Sequence, residues 1–361
     1  MFRKPAALTF MSASIVLLHA GDANAFQIGT AFTEPCHEHM SVSPLSCIEG
    51  GLWGPGKTGC TGSPIFPPVD MGADHVTAAI ADMFADMMGV TVESDRDRLI
   101  LLSLVAGCRY PDILGQSAYD LATMRPNLLS DDHEHRHFIR RSHDDGPTGD
   151  ASAVQAATAF IRSEIAAALA ASSLPEDQRM ATHTVAIDFY GEVEVTLYEP
   201  LFRLGVALHA FEDSFAHTVR SGDLVTIVAV LNSIEALSGT LVESRDGIAH
   251  SMAMDRCMEQ AAPVAEVAAV AVAELVSAVA IQASGRSGSA VGEVLERWLH
   301  LQPGCNETND WCNSPWIELV RQEPFMPILD MAGGCGASGG SAAGLLLLLP
   351  VVILSRIRRR R

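Results

Sequence analysis

The segment LHAFEDSFAHT, residues 208–218, places His209, Asp213 and His217 at four-residue intervals. On an α-helix, residues four apart lie on one face, one turn above the other. Imidazole and carboxylate groups in this arrangement are typical ligands of zinc. The same spacing also fits a polar face that contacts water, so the rest of the chain has to decide between a metal site and a solvated surface.

Further histidines occur close to acidic residues elsewhere in the chain. Hydrolytic zinc sites combine imidazole and carboxylate ligands and keep one position open for water. Taken singly, each of these residues is expected to be a solvated or hydrogen-bonded side chain. Together they predict a metal site. The candidate ligands outside the 208–218 segment are His37 or His39, Asp112, the histidines of loop 133–137, and His250 with Asp255.

The elements that would position these residues are predicted to be helices. Apolar residues recur at three- and four-residue spacing through most of the chain, and strand signals are scarce. We therefore predict an all-α, multi-helix bundle formed by residues 26–325. The predicted helical segments are a turn or two at 36–42, then 74–89, 95–107, 151–172, about 179–218, 224–244, 261–283 and 291–301.

Both ends of the chain predict export. Residues 1–25 contain two basic residues, an apolar run and an A-x-A site at Ala23–Ala25, which is the pattern of a signal peptide. Cleavage there would start the mature chain at Phe26. At the other end, a small-residue linker at 326–341 precedes a hydrophobic helix with an arginine tail at 342–361. The arginines are expected to stay on the cytoplasmic side during export.

This C-terminus resembles the sorting tags of myxobacterial surface proteins, in which a Gly-Cys pair precedes a Leu-rich helix and terminal arginines. The pair here is Gly334-Cys335. The resemblance implies that the tail is removed and that Cys335 becomes the membrane-linked end, which places the protein at the outer membrane or cell surface or sheds it outside. A plain C-terminal membrane anchor is the alternative. Both interpretations place residues 26–325 outside the cytoplasm.

Cysteine usage agrees with an oxidising compartment. The chain has eight cysteines, and one of them, Cys335, belongs to the predicted tag. The other seven predict up to three disulfides and one remaining thiol. Cys305 and Cys312, which flank a short polar loop, are the best candidates for a local bridge.

The order of the candidate ligands resembles the superfamily of zinc-dependent phospholipase C and single-strand nucleases. The matching motifs span about 220 residues of this chain, in the superfamily's order. They are Cys36-His37-Glu38-His39, Gly107 to Asp112-Ile113 with Pro111, His137-Phe138, Ala207-Leu208-His209 with Asp213 and His217, and Ala249-His250. The resemblance implies an all-α fold that holds two or three zinc ions in a cleft.

The resemblance also implies a role for each matching residue. His209, Asp213 and His217 would be ligands on or just beyond one helix, and Asp213 would bridge two metals. Asp112 would be a ligand near the attacking water and the candidate general base. His137 would complete a paired site, and His133 and His135 of the same loop are the open alternatives. His37 or His39 would bind a third metal.

Three features depart from the superfamily's pattern. Its mature chain opens with a tryptophan that binds zinc, whereas Phe26 would stand here. Its late histidine is followed four residues on by Glu, whereas Met254 stands four residues after His250 and Asp255 five residues after it. Five residues along a helix is a rotation of about 140°, so Asp255 would require the helix to bend or end. The interval from Asp213 to His217 is also shorter than in secreted bacterial phospholipases.

We therefore predict an exported zinc-dependent phosphodiester hydrolase, phospholipase C-like, that uses metal-activated water. The formal net charge of −19 and the lack of a basic stripe with aromatic residues argue against a long nucleic-acid track. The expected substrate is a phospholipid or a small phosphodiester. Two alternatives remain open: a nuclease of the same superfamily, and a non-catalytic cell-surface helical protein with a degenerate metal site.

Overall fold

The computed structural model describes residues 35–44, 72–114, 130, 132–187, 191–285, 290–322 and 324. Within these ranges the chain is mainly α-helical, as predicted, with a few short strands. Several predicted features lie outside the described residues. They are the signal peptide, Phe26, Cys47, Cys60, the small-residue linker and the C-terminal helix with its arginine tail.

The principal helices begin and end close to signals visible in the sequence. They are α1 (Cys36–Val42), α2 (His75–Met88), α3 (Asp95–Ile113), α4 (Gly149–Ser172), α5 (Glu199–Ala216), α6 (Ala262–Ala283) and α7 (Ala290–Trp298). Asp74 caps α2 by accepting hydrogen bonds from the backbone N–H groups of Val76 and Thr77, and Gly89 ends this helix with a φ of 65°. A capping box formed by Ser94 and Asp97 starts α3.

Two segments that we predicted to be helical contain strands. The first half of segment 179–218 is an antiparallel hairpin of β1 (Met180–Ile187) and β2 (Gly191–Tyr198), in which Met180 pairs with Tyr198. The prediction was wrong because the sequence GEVEVTLY alternates apolar and charged residues with a period of two, which favours a strand. Segment 224–244 likewise contains a strand, which is followed by a short helix, Ile234–Ser238.

A second small sheet follows α5 directly. Its strands are β3 (Thr218–Arg220) and β4 (Ile227–Val230), which run antiparallel and pair Thr218 with Val230. The chain then continues through Asn232, whose backbone N–H donates to the carbonyl oxygen of Ile248. This pairing brings the segment around His250 next to the C-terminal end of α5.

Helix α5 is the centre of the core. Every residue from 204 to 216 is buried, and the helix packs against α3, α4 and α6. A helix that is buried all round is normally apolar. Helix α5 nevertheless places His209, Glu212 and Asp213 in the core, and each is 0% exposed. Buried polar groups need partners, so these three residues indicate where a site lies.

Helices α3 and α5 touch backbone to backbone at two glycines. A Cβ atom added at Gly107 would lie 2.0 Å from the carbonyl oxygen of Phe202, and one added at Gly205 would lie 2.3 Å from the carbonyl oxygen of Leu104. No side chain fits at either position. This close crossing brings Asp112, near the end of α3, beside the face of α5 that holds the candidate ligands.

The predicted local disulfide, Cys305–Cys312, is confirmed, and a second disulfide joins Cys36 to Cys257, which are 221 residues apart. Cys108 is a buried free thiol on α3. The long-range bridge fixes α1 to the segment that follows Asp255. It therefore joins two parts of the chain that each contribute a candidate ligand.

In the described part of the chain, α6 alone is long and apolar enough to cross a membrane. Its most apolar window is 56% buried inside the protein. Helix α6 packs against α5 and α7. Its apolar composition is therefore explained by its place in the core.

Candidate metal centre

Four predicted ligands from three separate parts of the chain converge beside α5. His209 Nε2 lies 3.2 Å from His137 Nδ1 and 3.1 Å from Asp213 Oδ2, and His137 Nδ1 lies 3.2 Å from the same carboxylate oxygen. Asp112 Oδ1 lies 3.7 Å from His137 Nδ1 and 3.8 Å from His209 Nε2. We call Asp112, His137, His209 and Asp213 the four-ligand set.

The spacing within this set fits a tetrahedral zinc ion. Zinc lies about 2.0–2.2 Å from nitrogen and oxygen ligands, so neighbouring ligands in a tetrahedron are separated by roughly 3.3–3.5 Å. Three atoms of the set are mutually 3.1–3.2 Å apart, and the fourth is slightly farther away. If both ring nitrogens carry protons they can donate to the Asp213 oxygen, but the contact between the two nitrogens is then unsatisfied. An ion equidistant from the three atoms can satisfy all three.

The two carboxylates of the four-ligand set differ in their electrostatics. Burial raises the pKa of Asp112 to about 7, although His137 and His37 lower it in part. Burial also acts to raise the pKa of Asp213, but His209, His217 and His37 together hold it well below its usual range. Asp112 Oδ2 is buried without a hydrogen-bond partner. Such an atom is costly unless a ligand contacts it.

A second group, which we call the three-ligand set, consists of His217, His250 and Asp255. One candidate ligand atom from each residue lies within 4.8 Å of the other two, and all three residues are buried. His250 Nε2 is 2.9 Å from Asp255 Oδ1, and His217 Nε2 is 3.9 Å from the same oxygen. Three protein ligands are the number found in catalytic zinc sites, where water takes the fourth position.

Asp255 reaches this set because the chain is not helical there. The sequence required a bend or an end of a helix between His250 and Asp255. In the structure, the residues around 250–256 form bridges and turns, with His250 N–H donating to the carbonyl oxygen of Asn232. The five-residue interval therefore places no restriction on Asp255. Burial raises its pKa to about 6, against the opposing effect of His250.

The two sets are connected through His137. The His137 ring belongs to the four-ligand set, and its backbone carbonyl oxygen accepts a short hydrogen bond from His217 Nδ1. This bond leaves His217 Nε2, which has no hydrogen-bond partner, facing the three-ligand set. A hydrogen bond at the remote nitrogen is the usual way in which a metal-binding histidine is oriented. Burial, with a contribution from His250, lowers the pKa of His217 well below its usual value, so the ring is neutral as a metal ligand must be.

The backbone at Phe138 contributes to this arrangement. Phe138 is fully buried and has a φ of 53°, in the left-handed region that bulky residues rarely adopt. The turn points the His137 ring toward α5 while its carbonyl oxygen faces His217. Strained conformations of this kind are retained where function or packing requires them.

His37 lies on the other side of Asp213. Its Nε2 is 3.1 Å from Asp213 Oδ1, and its ring stacks on that of His209 with 4.2 Å between ring centroids. His39, the other candidate on α1, is exposed and does not join the site. Residues two apart on a helix point in nearly opposite directions, so one helix cannot bring both histidines to one cluster. Of the two alternatives left open by the sequence, the structure therefore brings His37 to the cluster and leaves His39 outside it.

His135 and His133, the two alternatives in the 133–137 loop, also lie apart from both ligand sets. The His135 ring packs edge-on against Phe160, with 5.0 Å between centroids, and burial lowers its pKa to about 4. His133 is half-buried. Neither residue belongs to the groups of converging ligand atoms found in the described part of the chain.

Sequence reasoning missed three buried residues at the centre. Glu212 and Ser41 are hydrogen-bonded to each other and adjoin His37, and Cys108 forms a further possible ligand group with His37 and His209. Glu212 stands next to Asp213 in a helix that is buried all round, which is a usable signal. Burial raises the pKa of Cys108 well above its usual value, with Glu212 nearby adding to the effect.

The cluster contains four buried carboxylates, and burial acts to raise the pKa of each of them. Asp112, Glu212, Asp213 and Asp255 are each at most 1% exposed. The buried Arg109 is paired with another carboxylate, that of Glu38, at 2.7 Å. Burying several carboxylates together is very costly without compensating positive charge. Divalent ions bound by the histidines and aspartates would supply that charge.

Comparisons with known proteins provide no relative. No family model matches the sequence, and neither the curated proteins nor the solved structures include a significant match. The buried histidine, aspartate and cysteine groups can hold metal ions. The choice of metal and reaction therefore depends on the chemistry of the site alone.

Proposed function

We propose that this protein is an exported zinc-dependent phosphodiester hydrolase of the phospholipase C type. The main support is the convergence of Asp112, His137, His209 and Asp213 with ligand spacings near those of tetrahedral zinc. Histidine nitrogens and carboxylate oxygens are common zinc ligands in catalytic sites, and such sites do not need a cysteine thiolate. The three-ligand set, which is connected to the four-ligand set through His137, would provide a second ion for two-metal hydrolysis.

Each residue of the two ligand sets would have a separate role. Zinc held by the two sets would supply an activated water and would offset charge that develops on the phosphodiester. Asp112 would bind through Oδ1, while its second oxygen, which has no hydrogen-bond partner, can accept a proton from the attacking water. Asp213 would bridge, because its two oxygens face different histidines. His217 and His250 would hold the second ion with Asp255.

The proposed substrate is a phospholipid or another small phosphodiester. The chain has 43 acidic residues against 24 lysines and arginines, so its surface does not attract a long polyanion. Metal charge inside a cleft acts locally and can still bind one phosphate group. The predicted C-terminal tag would hold the enzyme at the outer membrane or cell surface.

The first test is the zinc content of the purified full chain, with one matched pair of variants. His209→Ala removes a ligand of the four-ligand set, whereas His39→Ala makes the same change on an exposed position of α1. We expect two or three zinc ions per chain in the parent and in His39→Ala, and at least one fewer in His209→Ala. Elemental analysis after gel filtration gives the ratio.

Activity is measured on phosphatidylcholine micelles, a chromogenic phosphodiester and single-stranded DNA. Chelation should abolish hydrolysis and added zinc should restore it, and Asp112→Asn should lower the rate by about 100-fold or more, as expected for loss of both a ligand and a general base. Faster hydrolysis of DNA than of the other two would instead favour a nuclease. A parent protein that binds no zinc and hydrolyses none of the three would refute the proposal and favour the non-catalytic surface protein.

A further inference from the structure

Glu212 is a buried carboxylate without an assigned role, one residue before Asp213 on α5. It is 0% exposed. Its Oε2 accepts a hydrogen bond from His37 Nδ1 at 2.6 Å, and its Oε1 accepts one from the Ser41 hydroxyl at 2.7 Å. Both of these donors come from α1, and the Cys108 thiol of α3 lies 3.9 Å from Oε2 as a third, weaker donor. A charged group in the core of a helix that is otherwise packed on all sides needs a reason to be there.

The position of Glu212 explains the orientation of His37. Successive residues of a helix are rotated by about 100°, so Asp213 faces His137 and His209 while Glu212 faces α1. The two adjacent carboxylates lie on opposite sides of the His37 ring, with Nδ1 at Glu212 and Nε2 3.1 Å from Asp213 Oδ1. His37 Nδ1 is therefore engaged, and Nε2 is the atom presented to the cluster.

We infer that Glu212 is a positioning residue that fixes the tautomer and direction of His37 so that Nε2 can bind a metal shared with Asp213. Metal-binding histidines commonly donate the remote N–H group to a carboxylate, which orients the ring and strengthens the bond to the metal. Ser41 supports this orientation, because its hydroxyl donates a hydrogen bond to the second oxygen of Glu212 and limits rotation of the carboxylate.

This inference rests on the proposed function, since it assigns Glu212 to a metal that the proposal places there. It makes a narrower claim, however. The four-ligand and three-ligand sets contain neither Glu212 nor His37, so loss of Glu212 should affect one ion and spare the others. Removal of such carboxylates typically weakens metal binding by about 10- to 100-fold.

The test compares Glu212→Gln with Glu199→Gln in the full chain. The first change keeps the volume but removes the charged acceptor of His37. The second makes the same substitution at the start of the same helix, where Glu199 bonds Arg203 and His183 away from the cluster. Zinc is titrated against a competing chromophoric chelator, and the histidine ring nitrogens are observed by long-range proton–nitrogen NMR.

We expect Glu212→Gln to weaken the last zinc to bind by at least about tenfold, to leave the earlier ones unchanged, and to alter the Nδ1 and Nε2 signals of His37. Glu199→Gln should match the parent in all three. A merely structural role would lower the urea midpoint without a selective loss of one ion. Unchanged zinc affinity and unchanged His37 signals in Glu212→Gln would overturn the inference while the proposed function stands.

Two further outcomes are distinguishable. A parent protein that binds no zinc would overturn both the inference and the proposed function. Should Glu212→Gln fail to fold, Ser41→Ala decides the matter, because it keeps the carboxylate and removes the donor to its Oε1. A selective weakening of the last zinc in Ser41→Ala supports the inference, and an unchanged titration overturns it.

Discussion

Replacement of Gly205 by alanine should show how far the metal centre depends on the crossing of α3 and α5. A Cβ atom at this position would lie 2.3 Å from the Leu104 carbonyl oxygen and 2.7 Å from the Cys108 backbone nitrogen. Both neighbours are backbone atoms of α3, so no side chain can rotate away. The two helices have to separate.

The separation can be estimated from these distances. Restoring an ordinary contact of about 3.4 Å requires a displacement of roughly 1 Å, and overpacking of this kind typically costs about 1–3 kcal/mol. A displacement along the line between them would lengthen the Asp112 Oδ1 to His209 Nε2 distance, now 3.8 Å, to at most about 4.8 Å. One tetrahedral zinc ion cannot bind both atoms at that distance. An error of 1 Å in such a site can cost about 100-fold in function.

Zinc titration and urea unfolding of Gly205→Ala measure the two effects together. Gly292→Ala is the matched control: it is the same substitution within helix α7, where the nearest atom, Arg162 Nη1, lies 4.0 Å away. The control should bind zinc normally and gain up to about 1 kcal/mol, because alanine favours helices over glycine. The reasoning fails if Gly205→Ala retains the zinc affinity and stability of its parent.

Two other predictions concern stability. In the chain-entropy model, loss of the Cys36–Cys257 bridge, with its 221-residue separation, should cost about 5 kcal/mol, against about 2 kcal/mol for the seven-residue Cys305–Cys312 bridge. Urea unfolding of the two double serine variants with chelator present gives the comparison, and equal losses would contradict it. Asp74→Ala should cost about 1 kcal/mol at pH 7 through loss of the α2 cap. The pKa of Asp74 is lowered, chiefly by the hydrogen bond that its carboxylate accepts from the Thr77 backbone N–H. The contribution of Asp74 is therefore present above its unfolded pKa, near 4, and is lost as the pH falls through the lower folded value, so the variant and its parent should converge at acid pH below that folded value.

The helices were largely predictable because their signals are local. Apolar periodicity, the Asp74 cap and the Ser94 capping box each depend on residues a few positions apart. The hairpin of β1 and β2 was missed although its alternation is also local, because we read residues 179–218 as a single periodic segment. In this case the sequence contained the signal and the helical interpretation overrode it.

The candidate site was predictable in its residue types and less so in its geometry. The interval of four between His209 and Asp213 correctly places both on one face of a helix. The next interval is misleading, because α5 ends at Ala216 and His217 turns toward His250 and Asp255. Long-range contacts decide which histidine of a cluster faces inward, so His37 could not be separated from His39 by composition.

The link through His137 bears on how the two sets would act together. The His137 ring contacts Asp213 and His209, and its backbone carbonyl oxygen accepts the hydrogen bond that orients His217. His137, followed by Phe138 in a left-handed conformation, therefore contacts ligands of both sets. A substitution of His137 removes the ring but keeps the backbone carbonyl oxygen. Loss of the ring alone therefore removes one ligand directly and reaches the second set only if the backbone at Phe138 relaxes. If zinc occupied both sets, as proposed, this shared segment would tie the two positions together, and rigid placement of charge is what stabilises the charge that develops in hydrolysis.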